Sequence, residues 1–285
     1  MTAVARLPLG RSFGVMQGRL SPQSARGYQT FPSETWVQEF ETARHLGFEH
    51  IEWVLESFDL HNNPVLKAPE SIRAQIDSFG VEVLSVCADF LMDSPLDPEN
   101  TEAWGVFNQL MHNAKDLEIE VVVVPCVDSS SLLRPENLDR LEASLPQMIH
   151  TAERWGVALA LETDLPPRDF RELLATFESP LLSVNYDSGN SASLGYVFEE
   201  EIEAYGDRIS DFHLKDRTFG GNSVSLGTGS ANFPGVFTYL SPLSFDGIVT
   251  MQAMRDNLGL YATTQQLEWI RSQLKPQGEE SPRNV

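Results

Sequence analysis

Ala160-Leu161-Glu162-Thr163-Asp164, Asn185-Tyr186-Asp187-Ser188-Gly189-Asn190 and Asp211-Phe212-His213-Leu214-Lys215-Asp216 are the three runs on which the fold turns. Each places a side chain able to bind a metal where an apolar run gives way to polar residues. The separations, 187 − 162 = 25 and 213 − 187 = 26 residues, each equal one strand plus one helix. Consecutive parallel strands of a barrel would therefore bring oxygen, oxygen and nitrogen to one point at its mouth, which predicts a divalent-metal site.

Outward from these runs, short segments rich in Val, Ile and Leu alternate with longer amphipathic stretches, the pattern of parallel strands joined by helices. The strand segments are Phe13–Gln17, His50–Val54, Val81–Cys87, Glu120–Pro125, Val157–Glu162, Leu181–Asp187, Ile209–His213 and Ile248–Gln252. The helical segments are Glu34–Leu46, Ala68–Phe79, Glu99–Leu117, Leu138–Trp155, Arg168–Phe177, Val197–Tyr205, Phe233–Leu240 and Tyr261–Leu274. Together they predict an α/β fold, a single-domain (β/α)8 TIM barrel over residues 12–275, with a short extension at 1–11 and a disordered tail at 276–285. Gly47, Gly80 and Gly156 each follow a helical segment and suit left-handed caps. Ser33 and Pro135 are placed to begin the first and fourth helices, and Pro146 is expected to kink or split the fourth.

The 285 residues, 41% of them hydrophobic, suffice for one barrel, an architecture that typically takes about 250. The formal charge of −21 repels nucleic acid and leaves no basic stripe to bind it,. No apolar run reaches the roughly 18 residues of a membrane span, and the start of the chain lacks a secretory signal, so a soluble, cytoplasmic protein is expected. Cys87 and Cys126 lie in apolar runs and are read as reduced, buried thiols,.

Reactive groups of such barrels stand at the C-terminal ends of the strands. Those ends offer Gln17, Arg19, Glu52, Glu56, Cys87, Asp89, Asp128, Glu162, Asp187, His213 and Gln252. A carboxylate ending an apolar strand is costly to desolvate unless a cation binds it, so Glu162, Asp187 and His213 are candidate ligands. Ion pairing, or helix capping by Asp187 ahead of Ser-Gly-Asn, is the alternative reading. Gln252, 252 − 213 = 39 residues on, would add a neutral oxygen,. This donor set suits Mn2+, Mg2+, Co2+ or Zn2+ without choosing among them. Arg19, Lys215, Arg217 and Arg255 are the cations that could hold a phosphate, a carboxylate or sugar hydroxyls. Trp53, Phe90 and Phe212 are read singly as core packing, with pocket walls as the alternative, and the glycine-rich loop Gly220–Gly229 is either a surface loop or one long enough to fold over a ligand.

The chain resembles the xylose-isomerase-like superfamily of barrels, which includes sugar isomerases, sugar and sugar-phosphate epimerases and endonuclease IV. The resemblance runs from Gly14 to Arg255, and the order Glu162, Asp187 within Asp-Ser-Gly-Asn and His213 within His-Leu-Lys-Asp-Arg is similar to the metal signature of the epimerase branch. Gly14-Val-Met-Gln-Gly-Arg-Leu-Ser-Pro22, Ile51-Glu-Trp53, Ser85-Val-Cys-Ala-Asp-Phe-Leu-Met92, Phe245-Asp-Gly247 and Met251-Gln-Ala-Met-Arg255 resemble a subgroup of sugar phosphate isomerases/epimerases in which glutamine can be the fourth ligand. The ketose 3-epimerases of the superfamily use two metal-binding glutamates as acid/base groups on opposite substrate faces. Here only Glu162 matches, and the amide of Gln252 is no general base near neutral pH.

The resemblance implies a metal-dependent sugar or sugar-phosphate isomerase or epimerase working through a metal-stabilised enediolate. Glu162 and Lys215 would be catalytic, with Glu162, Asp187, His213 and Gln252 on the metal. Gln17, Arg19, Glu52, Asp89, Arg217 and Arg255 would contact a small carbohydrate substrate. Either Lys215, Glu52 or Asp89 would act on the second face, or one base would work on one face in a proton or hydride transfer. A non-catalytic sugar-binding or partner subunit is the rival expectation, and pairing into a homo-oligomer is left open by apolar positions on the outer helices. Nucleic-acid hydrolysis is disfavoured by the charge and by His213 being the one histidine placed at a strand end.

Overall fold

The computed structural model describes residues 6–23, 27, 29–255 and 259–274; the proposed tail at 276–285 lies outside them. Eight parallel strands close into a barrel in chain order. They are β1 Ser12–Met16, β2 Ile51–Val54, β3 Ser85–Cys87, β4 Val121–Cys126, β5 Ala158–Thr163, β6 Leu182–Asp187, β7 Ile209–Leu214 and β8 Ile248–Met251. The α-helices are α1 Trp36–Leu46, α2 Pro64–Lys67, α3 Pro69–Phe79, α4 Phe90–Asp93, α5 Thr101–Leu117, α6 Pro135–Trp155, α7 Pro167–Thr176, α8 Ser188–Leu194, α9 Phe198–Tyr205, α10 Phe233–Tyr239 and α11 Leu260–Gln273. The eight predicted helical segments correspond to α1, α3, α5, α6, α7, α9, α10 and α11. Short α2, α4 and α8 have too few residues for a helical period to be read from sequence.

Alternate residues of each strand divide between two cores. Val122, Val124, Leu159, Leu161, Phe212 and Val249 face outward into one large apolar cluster with the helices. Met16, Val54, Cys87, Val121, Val123, Ala160 and Ile248 form a smaller cluster inside the barrel. Each buried Val, Leu, Ile, Met or Phe among them contributes about 1.5–3 kcal/mol. Trp53, Phe90 and Phe212 belong to the outer cluster, which bears out core packing over the pocket-wall alternative for all three.

Gly47, Gly80 and Gly156 cap their helices at φ 84°, 61° and 68°, as expected. Helix α1 starts at Trp36 after Thr35 rather than at Ser33. Pro135 does open α6, but Pro146 does not divide it. Pro146 sits on the solvent side, where water can take the carbonyl that its missing N–H leaves unpaired,. Ahead of β1, Leu9 is buried in the outer core and Gly10 N–H donates to the Leu240 carbonyl at 2.8 Å.

Register decides what enters the barrel. Between β6 and β7, Val184 pairs with Ile209 but Asn185 with Asp211, so Ser210 is an extra residue on β7. A one-residue slip inverts facing beyond it. As a result Asp187 lies directly beside His213, both pointing inward.

Candidate functional site

Glu162 near the end of β5, Asp187 ending β6 and His213 near the end of β7 each bring a ligand atom within 4.8 Å of the other two. All three are buried. Asp187 performs both roles anticipated for it. Its Oδ1 caps α8, accepting from the Gly189 and Asn190 amides at 2.8 Å, and its Oδ2 accepts from Lys215 Nζ at 3.0 Å. Gln252 follows β8 with its Oε1 buried and without a hydrogen-bond partner, as is His213 Nδ1. Two carboxylates, an imidazole nitrogen and an orphaned amide oxygen are a donor set that fits a divalent cation.

Beneath this cluster, His213 Nε2 lies 2.9 Å from Glu52 Oε1, and Glu52 Oε2 accepts from Ser85 Oγ at 2.7 Å. Glu52, Asp211 and His213 form a second compact group, deeper in the barrel. Burial disfavours charge on both members of the pair, yet their mutual attraction prevails: Glu52 is pulled down to about 2 and His213 up to about 10,. Burial, reinforced by the Glu52 charge, raises Asp211 well above its usual range. Burial first and the Asp187 charge second raise Glu162 to about 7.

A cavity of about 550 Å³ opens above the cluster, lined by Gln29, Asp89, Asp128, Glu162, Asn190, Lys215, Arg217, Asn222, Gln252 and Arg255 among others. Of the expected substrate contacts, Asp89, Arg217 and Arg255 line it. Glu52, Gln17 and Arg19 do not. Glu52 is consumed by His213 and Ser85, so its placement corrects the expectation of a substrate contact. Gln17 Oε1 accepts from the Val54 amide at 3.0 Å, and Arg19 donates to the Ala253 carbonyl at 3.1 Å and to Gln29 Oε1 at 3.0 Å. Both brace strand ends, and Arg19 bonds Gln29, which lines the cavity.

Several organising residues escaped the sequence reading. Asn190 donates to Glu162 Oε1 at 2.6 Å and accepts from Lys215 Nζ at 3.2 Å and Arg217 Nη1 at 2.9 Å. Its place in Asp-Ser-Gly-Asn was the available signal. Gly189 is required beneath the Lys215 stem, because a Cβ there would lie 2.7 Å from Lys215 Cγ. Asp216 accepts from the Gly227, Gly229 and Ala231 amides at 3.0, 2.7 and 3.1 Å, fastening the loop that follows β7. That loop contributes Asn222 and Ser223 to the cavity wall. Glu39 of α1 likewise clasps the turn after β1, accepting from the amides of Gly18 at 3.0 Å and Leu20 at 3.2 Å.

Residues 40–273 match the xylose isomerase-like TIM barrel family, and the chain belongs to it. It is 28% identical over 207 residues to 2-epi-5-epi-valiolone 7-phosphate 2-epimerase of Actinoplanes sp., covering 70% of this chain and 75% of that protein. Among solved structures, the IOLI protein with a zinc atom superposes with a TM-score of 0.70 at 16% identity, covering 92% of this chain and 97% of the other. D-psicose 3-epimerase from Clostridium cellulolyticum H10, solved with D-tagatose, gives 0.68 at 14% identity, covering 93% and 100%. These structural likenesses establish the shared fold. No helix among the described residues is long and apolar enough to cross a membrane.

Proposed function

We propose that the protein is a divalent-metal-dependent isomerase or epimerase of a sugar or sugar phosphate, held by the same cavity in which Glu162 and Gln252 meet Lys215, Arg217 and Arg255. The observation that carries this reading is the convergence of Glu162, Asp187 and His213 beside the unpartnered oxygen of Gln252. Its epimerase relative and the zinc-bearing and sugar-bearing neighbours support the same class. A cation on these four side chains supplies Lewis-acid polarisation of adjacent substrate carbonyl and hydroxyl oxygens.

Glu162 removes the proton from the carbon beside the carbonyl, with Asn190 Nδ2 fixing the carboxylate from the side,. Lys215 and Arg217, both joined to Asn190, set the positive wall that orients the substrate's hydroxyl or phosphate end,. Glu52 holds His213 through Nε2 and leaves Nδ1 as the ligand atom,.

The direct test is incubation of Mn2+-loaded protein with a panel of aldoses, ketoses and their phosphates in D2O. Deuterium on the carbon beside the carbonyl is the expected result. Stoichiometric sugar binding with no label across the panel would identify a binding subunit instead, and Asp187→Asn and His213→Ala are expected to lose both metal and label.

A further inference from the structure

Arg217 carries a charge that the protein itself leaves unbalanced. Its Nε and Nη2 donate to the Gly221 carbonyl at 3.0 and 2.8 Å, and its Nη1 donates to Asn190 Oδ1 at 2.9 Å. Every one of these acceptors is a neutral oxygen, and among the described residues no carboxylate pairs with this guanidinium. The side chain is half-buried on the cavity wall, where an uncompensated charge is costly,. The other cations of the cavity are placed differently. Lys215 Nζ meets the carboxylate of Asp187 at 3.0 Å, and Arg255 turns toward the segment after β1, donating to the Pro22 carbonyl at 2.8 Å.

We infer that Arg217 binds a phosphate group of the substrate and so selects a sugar phosphate over the neutral sugar. The inference rests on the isomerase or epimerase reading above and narrows its substrate class. Arg217 and Ser223 are partners in an antiparallel bridge, an arrangement that puts paired side chains on one face,. Both line the cavity, as does Asn222. Lys215 Nζ and Arg217 Nη1 share Asn190 Oδ1 as acceptor, at 3.2 and 2.9 Å. Two cationic groups thus converge on one neutral oxygen, and a bound anion relieves their repulsion. A guanidinium fork braced from its other edge, an ammonium, an amide and a hydroxyl supply donors for the oxygens of a phosphate monoester, whose charge of about −1.5 to −2 near neutrality suits a pair of cations.

The cavity's carboxylates fall elsewhere. Asp89 follows β3 and Asp128 follows β4, across the barrel from β7, so the wall built by the loop after β7 stays positive. Asn190 alone joins this wall to Glu162, accepting from Arg217 and donating to Glu162 Oε1 at 2.6 Å. A phosphate at Arg217 and a reacting carbon at Glu162 therefore fit within one small molecule.

Deuterium incorporation from D2O by Mn2+-loaded protein tests this, read for each aldose and ketose against its phosphate ester at fixed ionic strength. The wild type should show kcat/KM at least about tenfold higher for the ester, a measurement that needs no variant. Arg217→Met should cut that preference about 10–100-fold, the range expected for loss of a charge-assisted hydrogen bond. Neutral sugars turned over as well as their esters, or an Arg217→Met variant that loses both classes equally, overturns the inference while the isomerase or epimerase reading stands. A preference for sugar acids over phosphate esters overturns it too, since the subsite would then be one for carboxylates. A wild type that binds Mn2+ yet labels neither class overturns the underlying functional reading, and this inference with it.

Discussion

His213 Nε2 sits 2.9 Å from Glu52 Oε1 with neither side chain exposed to solvent. The pair fixes which imidazole nitrogen faces the cluster, because Nε2 carries the proton shared with Glu52 and Nδ1 is left for a ligand bond,. Glu52→Gln is expected to weaken Mn2+ binding about 10–100-fold while the barrel stays folded. The sign of its pH dependence follows from the two shifts. Glu52, lowered to about 2, contributes fully above 4.5; His213, raised to about 10, contributes fully below 6.5 and loses that contribution as pH rises through its folded value,. The stability difference between wild type and variant should therefore be largest from 4.5 to 6.5 and shrink toward 10. Calorimetry and thermal melts across pH check both; unchanged metal affinity would remove Glu52 from its positioning role.

Asp187 divides its two oxygens between capping α8 and facing Lys215, and two substitutions separate those duties. Asp187→Asn retains an oxygen for the cap and should cost little stability while lowering metal affinity at least about 100-fold. Asp187→Ala should lose the metal equally and a further ~1 kcal/mol of stability from the cap. Denaturant melts of the metal-free proteins measure the difference, and equal stability of the two variants would show that the cap contributes nothing.

Metal binding should release protons. Burial and the Asp187 charge hold metal-free Glu162 near 7, and His213, which burial alone would lower, is held near 10 by Glu52, so the cation competes with a proton at both,. Apparent affinity should fall as pH drops below 10 and more steeply below 7. Titration calorimetry in two buffers of different ionisation enthalpy reads the proton count directly. For Glu162 alone the linkage has the opposite sense in the metal-free protein: its raised value favours the folded state below 4.5, and that advantage disappears as pH rises through 7,.

Asp216 holds the loop after β7 by three amides, and hydrogen bonds to a charged acceptor contribute about 1.5–3 kcal/mol each,. Asp216→Ala should accelerate amide exchange at Gly227, Gly229 and Ala231 and raise KM more than it lowers kcat, since Asn222 and Ser223 reach the cavity from that loop. Gly229→Ala should do the same, because its Cβ would fall 2.2 Å from Asp216 Oδ1. Unaltered exchange in both variants would contradict the clasp.

Apolar runs at strand length, the helical stretches between them and the 25- and 26-residue separations were enough to read the closed eight-stranded barrel and to name Glu162, Asp187, His213 and Gln252 together. These features are local: period-2 and period-3.6 patterning and helix caps are written in neighbouring residues. Glu52 was legible as a strand-end carboxylate but not as the partner of His213, since β2 and β7 meet only through the barrel interior. Asn190 and Asp216 were passed over because amide and carboxylate side chains in loops gain their meaning from what lies opposite.

The sequence alone thus determined the order of elements and which strand ends carry chemistry, because alternating burial forces those ends to a common rim. Tertiary structure decided the rest. The extra residue at Ser210 sets Asp187 beside His213, and closure of the barrel puts Asp89 and not Glu52 on the cavity wall. Register and through-barrel contacts depend on distances between residues far apart in the chain, and no local pattern encodes those distances.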